Sequence, residues 1–316
     1  MSRHYDLQQL INTQPILCNN LGFGEQGAIL SQLSTAIFIC PDTEKANNMK
    51  KQLDALGKEN FVINDFDKPF TLSKFSSSDN KYDLINALYK ISTSNIILIS
   101  TPRILFSFIP SIETFKQHLI KINKNDNLDI IELEKKLIDL GYKKSETVTS
   151  KGEFARRGDI IDIFNVIDSN PTRLDFFDTE IDDIYQFDFL TFEHVEKLNS
   201  FVIVPNKLNF FDEEKEKLLL ELKTKKIENN LFFDLIGMIE RNEDIPLEFT
   251  YPFINKIDTI TKINYPIIIS NELEFENIYN NYLKNFIEKI ELIIKSEKII
   301  KIYKNNEKIL NLNDFF

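Results

Sequence analysis

Short apolar runs alternate with helix-spaced segments in the first third of the chain. Thr35 to Cys40 (TAIFIC) reads as a buried strand closed by Pro41-Asp42. Thr43 to Leu56 then sets Ala46, Met49, Leu53 and Leu56 on one helical face, and Gly57 stops the helix. Phe61 to Ile63 predicts a short strand, Tyr82 to Ile91 a helix and Ile96 to Ile99 a strand. Ser100-Thr101-Pro102 can open another helix. Strand–helix alternation of this kind builds a parallel sheet with crossover helices. Residues 1–113 therefore read as a small α/β unit.

The pattern changes over residues 114–205. Leu119 to Ile122 predicts a strand, and Asn127-Leu128-Asp129 can cap a helix from Ile130 to Leu140 that Gly141 ends. Strands are then expected at Glu146–Thr149, Asp159–Phe164, Thr172–Phe177 and Ile184–Phe187, with Asn170-Pro171 as a turn. Ile161 and Ile163 alternate with Asp162. Leu174 and Phe176 alternate with Arg173, Asp175 and Phe177. The first set should pack on the 130–140 helix and the second should face away from it. This segment reads as an α+β module with an antiparallel sheet.

Residues 206–316 return to helices and one strand. Glu213 to Lys226, Leu231 to Ile239 and Glu272 to Ile294 have helical patterns, and Tyr265 to Ile269 is a strand. Ser73 to Ser78 predicts a mobile loop, and the Lys- and Asn-rich tail from Lys295 a loosely held end.

A length of 316 residues suits two or three domains, and 42% hydrophobic with 28% charged residues is ordinary for globular chains. Net charge −11 argues against a broad basic surface for nucleic acid. The two cysteines, Cys18 and Cys40, lack metal-ligand spacing, and no secretory signal pattern opens the chain. No apolar run reaches the ~18 residues of a membrane span. A reducing, cytoplasmic setting is expected.

The chain holds six arginines, and three of them, Arg156, Arg157 and Arg173, fall in one short window. In a lysine-rich protein such a cluster suggests that a planar fork is wanted for carboxylate or phosphate pairing. Their plainest use is surface pairing with Asp159, Asp175, Asp178 or Glu180, at about 0–1 kcal/mol each. Arg173 and Phe177 on one strand face also make a combination typical of interface anchors.

Gly141-Tyr142, GEFARRGDIIDIF at 152–164 and PTRLDFFDTEIDDIYQFD at 171–188 together resemble the second domain of bacterial transcription-repair coupling factors, the Mfd family. The excision-repair protein UvrB carries a related module. Weaker similarity runs over the whole chain. The resemblance implies a degenerate helicase-like parallel-sheet domain in two halves, 1–113 and 206–316, with an inserted UvrA-binding module at 114–205. It implies UvrA as the partner and Arg157, Arg173 and Phe177 as its contacts. Arg156, at a position where the family varies, and Asp175 and Glu180 are secondary candidates beside them. Two departures stand out. Asn165 replaces the family's usual Pro, which should affect only a turn. Tyr185 replaces a frequent Arg, which removes one cation.

Gly22 to Ile29 has the outer spacing of a phosphate-binding loop, with Gly22 and Gly27 in place. That chemistry needs Lys and then Ser or Thr next, for phosphate and magnesium, and Ala28 and Ile29 stand there instead. Glu25 adds a negative charge. A glycine-rich helix entry is expected, without nucleotide, in keeping with the family's loss of this loop. His4, His118 and His194 are scattered, so neither a metal site nor a catalytic set is expected.

The resemblance implies a UvrA-recruiting region for transcription-coupled nucleotide excision repair. The family's polymerase-binding and motor regions have no counterpart in this chain. Expected, then, are no ATP hydrolysis, no cofactor, and contact with RNA polymerase and DNA only through regions beyond this chain. ATP and magnesium would belong to the motor. The chain is expected to be monomeric, and a fragment unless the remainder is encoded separately. The alternative is a nucleotide-dependent, UvrB-like repair ATPase.

Overall fold

A computed structural model of the chain describes residues 16–64, 78–211, 214–224, 230–245, 247, 257–281 and 284. The predicted loop at 73–77, the helix beyond 284, the tail from 295, and His4 lie outside the described residues. The chain divides into two compact units. One holds the described residues up to Ile109, those of Lys226–Phe233 and those from Leu247 onward. The other holds Pro110–Lys225 and Asp234–Pro246.

In the first unit the strands are β1 (Ile16–Leu17), β2 (Ala36–Ile39), β3 (Asn60–Val62), β4 (Ile97–Ser100), β5 (Phe108–Pro110), β14 (Ile257–Thr259) and β15 (Ile267–Ile269). Five form one sheet in the order β1-β15-β2-β4-β3, and every pairing is parallel. β15, from the last third of the sequence, lies between two strands of the first third. The apolar runs of β2 and β4 are buried throughout, as strands covered on both faces require. The Thr43–Ala55 helix starts at Asp42, whose carboxylate accepts from Lys45 N, and buries Ala46, Met49 and Leu53. Leu56 does not join that face. It lies at the frayed helix end, 51% exposed, just before the left-handed Gly57. Ser100-Thr101-Pro102 opens a short 3-10 helix, Pro102–Phe106.

The second unit contains β6 (Ile120–Asn123), β7 (Lys143–Lys144), β8 (Glu153–Arg157), β9 (Ile160–Ile163), β10 (Thr172–Phe177), β11 (Glu180–Phe187), β12 (His194–Lys197) and β13 (Ser200–Ile203). Six build a sheet ordered β12-β11-β10-β9-β8-β7, and β6 pairs with β13. The larger sheet is antiparallel except for β7 on β8, which run parallel. The Ile130–Asp139 helix is capped by Asp129, which accepts from Ile131 N and Glu132 N. Its Leu133 and Leu137 meet Phe154, Ile161, Ile163, Leu174, Phe176, Ile181 and Ile184 in one core, the packing the alternation predicted.

Two expectations fail here. Glu146–Thr149 is a loop, not a strand. Its polar groups are taken by side chains: Glu153 accepts from Thr149 N and Ser150 N, and Ser145 donates to Thr147 O. Asn165 does more than shape a turn. It is 1% exposed and holds five partners. Its amide donates to Asp168 and to Val202 O, and its carbonyl accepts from the Tyr142 hydroxyl, Val166 N and Val204 N. The unit also continues past Pro205, where Asn209 donates to Glu243 O and accepts from Ile245 N.

Candidate partner-docking site

The register of the large sheet sorts the arginine window into two faces. Arg157 lies opposite Ile160, which lies opposite Asp175, itself opposite Asp183. The neighbouring row runs Ala155, Asp162, Arg173, Tyr185, Lys197. Directly opposed residues share a face, so both rows lie on the side turned from the Ile130–Asp139 helix. At the row's end Phe177 stands opposite Glu180, and Asp178, in left-handed conformation, turns the chain between them.

Arg156 does not join this surface. It alternates onto the helix face, where its guanidinium pairs with Glu134 at 3.0 Å. Burial opposes the charge on Glu134, but Lys144 and Arg156 overcome it and hold the carboxyl below the usual range. Strand alternation thus places Arg156 on the face opposite to that of Arg157.

Arg173 is more committed to its own scaffold than the sequence implied. Its Nε donates to Asp162 Oδ1 at 2.6 Å and its Nη2 to Asp162 Oδ2 at 2.8 Å. The guanidinium carbon also lies 4.8 Å from the Phe187 ring centroid and 6.0 Å from that of Tyr185. The bond to Asp162 raises the arginine's pKa further above its ordinary value. Its side chain keeps 22% exposure, while that of Asp162 keeps 3%. None of the surface pairings expected for Arg173 forms. Asp162, a residue the sequence offered only as one polar step in an alternation, is its partner.

Arg157 is exposed and ties down the loop before its own strand. Its Nη2 donates to Thr147 Oγ1 at 2.6 Å and to Glu146 O at 3.1 Å. Asp175 is half-buried, and its Oδ1 has no hydrogen-bond partner. Burial pushes its carboxyl pKa up, Arg173 draws it down, and Asp183, Asp162 and Asp182 push it up again. Asp183 is held low by Lys197 and, against burial, by Lys124, at 2.8 and 3.3 Å. Phe177 is 78% exposed, the highest value among the exposed large apolar side chains of the described residues.

Beneath this polar face sits a second small core that sequence reading missed. Val148 from the loop, Ala155, Phe164 and Phe187 are buried together, with Phe189 against them. Phe154 and Ala155 are adjacent yet both buried, because the sheet has apolar cover on both faces. Tyr185 stacks on His194 with ring centroids 4.9 Å apart. The arginine that the family often has at this position is thus replaced by a ring beside Arg173.

The UvrB interaction domain family matches residues 120–209, a span that contains the large sheet, the Ile130–Asp139 helix and the β6–β13 pair. The transcription-repair-coupling factor of Borreliella burgdorferi is 30% identical over 267 residues, 83% of this chain. That of Bacillus subtilis is 32% identical over 127 residues, 40% of the chain, and that of Staphylococcus aureus (strain bovine RF122 / ET3-1) 39% over 87 residues, 28% of the chain. The chain belongs with the transcription-repair-coupling factors. It spans only a part of them: the matches cover 22%, 11% and 7% of those three proteins. The likeness read from the arginine-bearing hairpins therefore holds, and it extends over most of the chain.

The glycine loop lies in the other unit, at the start of the Phe23–Gln32 helix. Gly22 N, which a phosphate loop would turn on its ligand, donates to Glu25 Oε2 at 2.7 Å. Gly27 is where the next helix comes closest. A Cβ there would stand 2.1 Å from Gln52 Nε2, whose amide donates to Gly24 O. Gln26 is buried and exchanges hydrogen bonds with Ser270. Ala28 is exposed and Ile29 half-buried, and neither side chain carries the ammonium or hydroxyl group that stands at these places in a phosphate loop. Among the described residues there is no cluster of His, Cys, Asp or Glu suited to a metal, and no helix long and apolar enough to cross a membrane.

Proposed function

We propose that this chain is the UvrA-recruiting region of a transcription-repair-coupling factor acting in transcription-coupled nucleotide excision repair. UvrA docks on the face of the large sheet that carries Arg157, Arg173 and Phe177, with Asp175 and Glu180 at its border. The observation that carries this reading is Phe177: a phenyl ring 78% exposed at the end of a strand, on the same strand face as an ordered arginine, in a segment matched by an interaction-domain family. An exposed ring of this kind adds nothing to its own core and becomes useful when a partner covers it. Arg173 contributes through the donors that Asp162 leaves free, and Arg157 through its exposed guanidinium.

Titration of purified UvrA into the chain, followed by calorimetry, tests this. Phe177→Ala is expected to weaken binding by at least ~2 kcal/mol, about thirtyfold. Its melting temperature should stay put, since the ring is hardly buried. Unchanged affinity would sink the assignment.

We infer also that the chain has no motor activity, needs no cofactor, and works in the cytoplasm as a monomer. RNA polymerase and DNA are engaged by other parts of the intact protein. The Glu25 carboxylate on Gly22 N and the residues Ala28 and Ile29 support a loop that takes no nucleotide. Magnesium-ATP should leave the melting temperature unchanged. A rise that Gly27→Val abolishes would favour a nucleotide-dependent, UvrB-like ATPase instead.

A further inference from the structure

We propose that Asp162 is the positioning residue for the docking arginine: it fixes the Arg173 fork so that its remaining donor edge faces a carboxylate on UvrA. This rests on the UvrA reading above and adds to it a residue that touches no partner.

An arginine on an open sheet face samples many rotamers, and holding it still on binding costs side-chain entropy. Here that cost is met within the fold. Strand register places Asp162 directly across from Arg173. Both carboxylate oxygens are used, at 2.6 and 2.8 Å, by Nε and Nη2. A two-point contact fixes the plane of the guanidinium as well as its position. The Phe187 ring, 4.8 Å from the guanidinium carbon, supports it from another side. With the Nε–Nη2 edge on Asp162, the Nη1 hydrogens and the second Nη2 hydrogen point away from that carboxylate. Beside the Tyr185 side chain, which also interacts with the guanidinium, they make a second fork that can meet a planar anion.

The cost of Asp162 supports a role beyond stability. It lies between Ile161 and Ile163 and is 2% exposed. A buried ion pair there contributes little that an apolar pair of similar volume would not. Ordering a partner-facing arginine is something an apolar residue cannot do.

The test is a set of variants of the whole chain, each titrated with UvrA below its own unfolding transition. Asp162→Asn keeps the size but replaces one acceptor oxygen with a donor, which breaks the two-point contact. It is expected to weaken UvrA binding at least about tenfold. Arg173→Lys keeps the charge without the fork and should also weaken it about tenfold. In the Arg173→Ala background, Asp162→Asn should change affinity by less than about twofold, because its effect passes through the missing arginine. A purely structural Asp162 would not produce that coupling. Three outcomes overturn the proposal. Asp162→Asn binds like the unaltered chain while Arg173→Ala does not; Arg173→Lys binds like the unaltered chain; or Asp162→Asn weakens binding further in the Arg173→Ala background. If neither Arg173→Ala nor Phe177→Ala alters binding, the UvrA reading itself fails.

Discussion

Arg173→Ala should damage the fold as well as the interface, and the damage should be reversible by a second substitution. The Asp162 side chain is 3% exposed and both of its oxygens are occupied by Arg173. Removing the arginine strands a carboxylate in the sheet. Breaking a buried pair from one side costs about 3–5 kcal/mol. The lower end applies here, because the Arg173 side chain is 22% exposed and water can follow into the space it leaves. The contact with Phe187 adds about 0.5–1 kcal/mol to the loss. A total of about 3.5–4 kcal/mol would lower a urea midpoint by roughly 1–4 M at slopes of about 1–3 kcal/mol per molar. Far-UV circular dichroism can follow the transition of this unit. Adding Asp162→Asn to Arg173→Ala removes the stranded charge and should restore at least about half of the loss. If Arg173→Ala unfolds within about 0.5 kcal/mol of the unaltered chain, or if the double variant is no more stable than the single one, the pair is not the structural element described above.

Asp175 gives a pH prediction. Burial raises its carboxyl pKa in the fold, so the stability of the protonated form is fully present below the unfolded value of about 3.9 and is lost as pH rises through the folded value. Asp175→Asn should therefore raise the urea midpoint at pH 7 and flatten its change between pH 4 and pH 7; a lower midpoint at pH 7 would contradict this. Asn165→Pro restores the family's usual residue but strands Val202 O, Val204 N and the Asp168 carboxylate, and should cost about 2–4 kcal/mol in the same assay. UvrA binding should depend only modestly on salt, because Arg173, Lys124 and Lys197 on this face are paired with carboxylates of this chain and only Arg157, of the contacts proposed, is bonded to uncharged groups. Less than about a tenfold loss between 50 and 500 mM salt is expected, and a steeper fall in calorimetry would mean that unpaired charges drive the contact.

Much of the fold was legible where one rule governs a segment. β2 and β4 are continuous apolar runs, and the Thr43–Ala55 helix has a capping Asp42 and a stopping Gly57. The legible part of the site was the face of β10, where alternation alone placed Arg173, Asp175 and Phe177 together. What failed needed partners outside the segment's own pattern. Nothing local in Glu146–Thr149 shows that Glu153 and Arg157 will claim its backbone. Nothing local pairs Asp162 with Arg173, because that depends on the register of two hairpin strands. Asn165 looked like a turn residue because its partners Tyr142 and Val202 are far along the chain.

The start of β11 shows most clearly why Phe177 ends up outside. Ile181 and Ile184 are three residues apart, so strict alternation would place them on opposite faces. Both are 0% exposed in the core. The register shifts between Asp175 and Phe176: Asp175 faces Asp183, whereas Phe176 faces Ile181. Asp182 is the extra residue, and the bulge it makes lets both isoleucines turn inward. The same break in period hid residues 180–183 from the strand predicted at Ile184–Phe187. It also sets the end of β10. With Phe176 seated against Ile181, Phe177 falls opposite Glu180, on the outer face at the hairpin tip. The core thus leaves Phe177 unburied: alternation along β10 turns Phe176 in and Phe177 out, and the bulge in β11 brings both isoleucines to the side of Phe176.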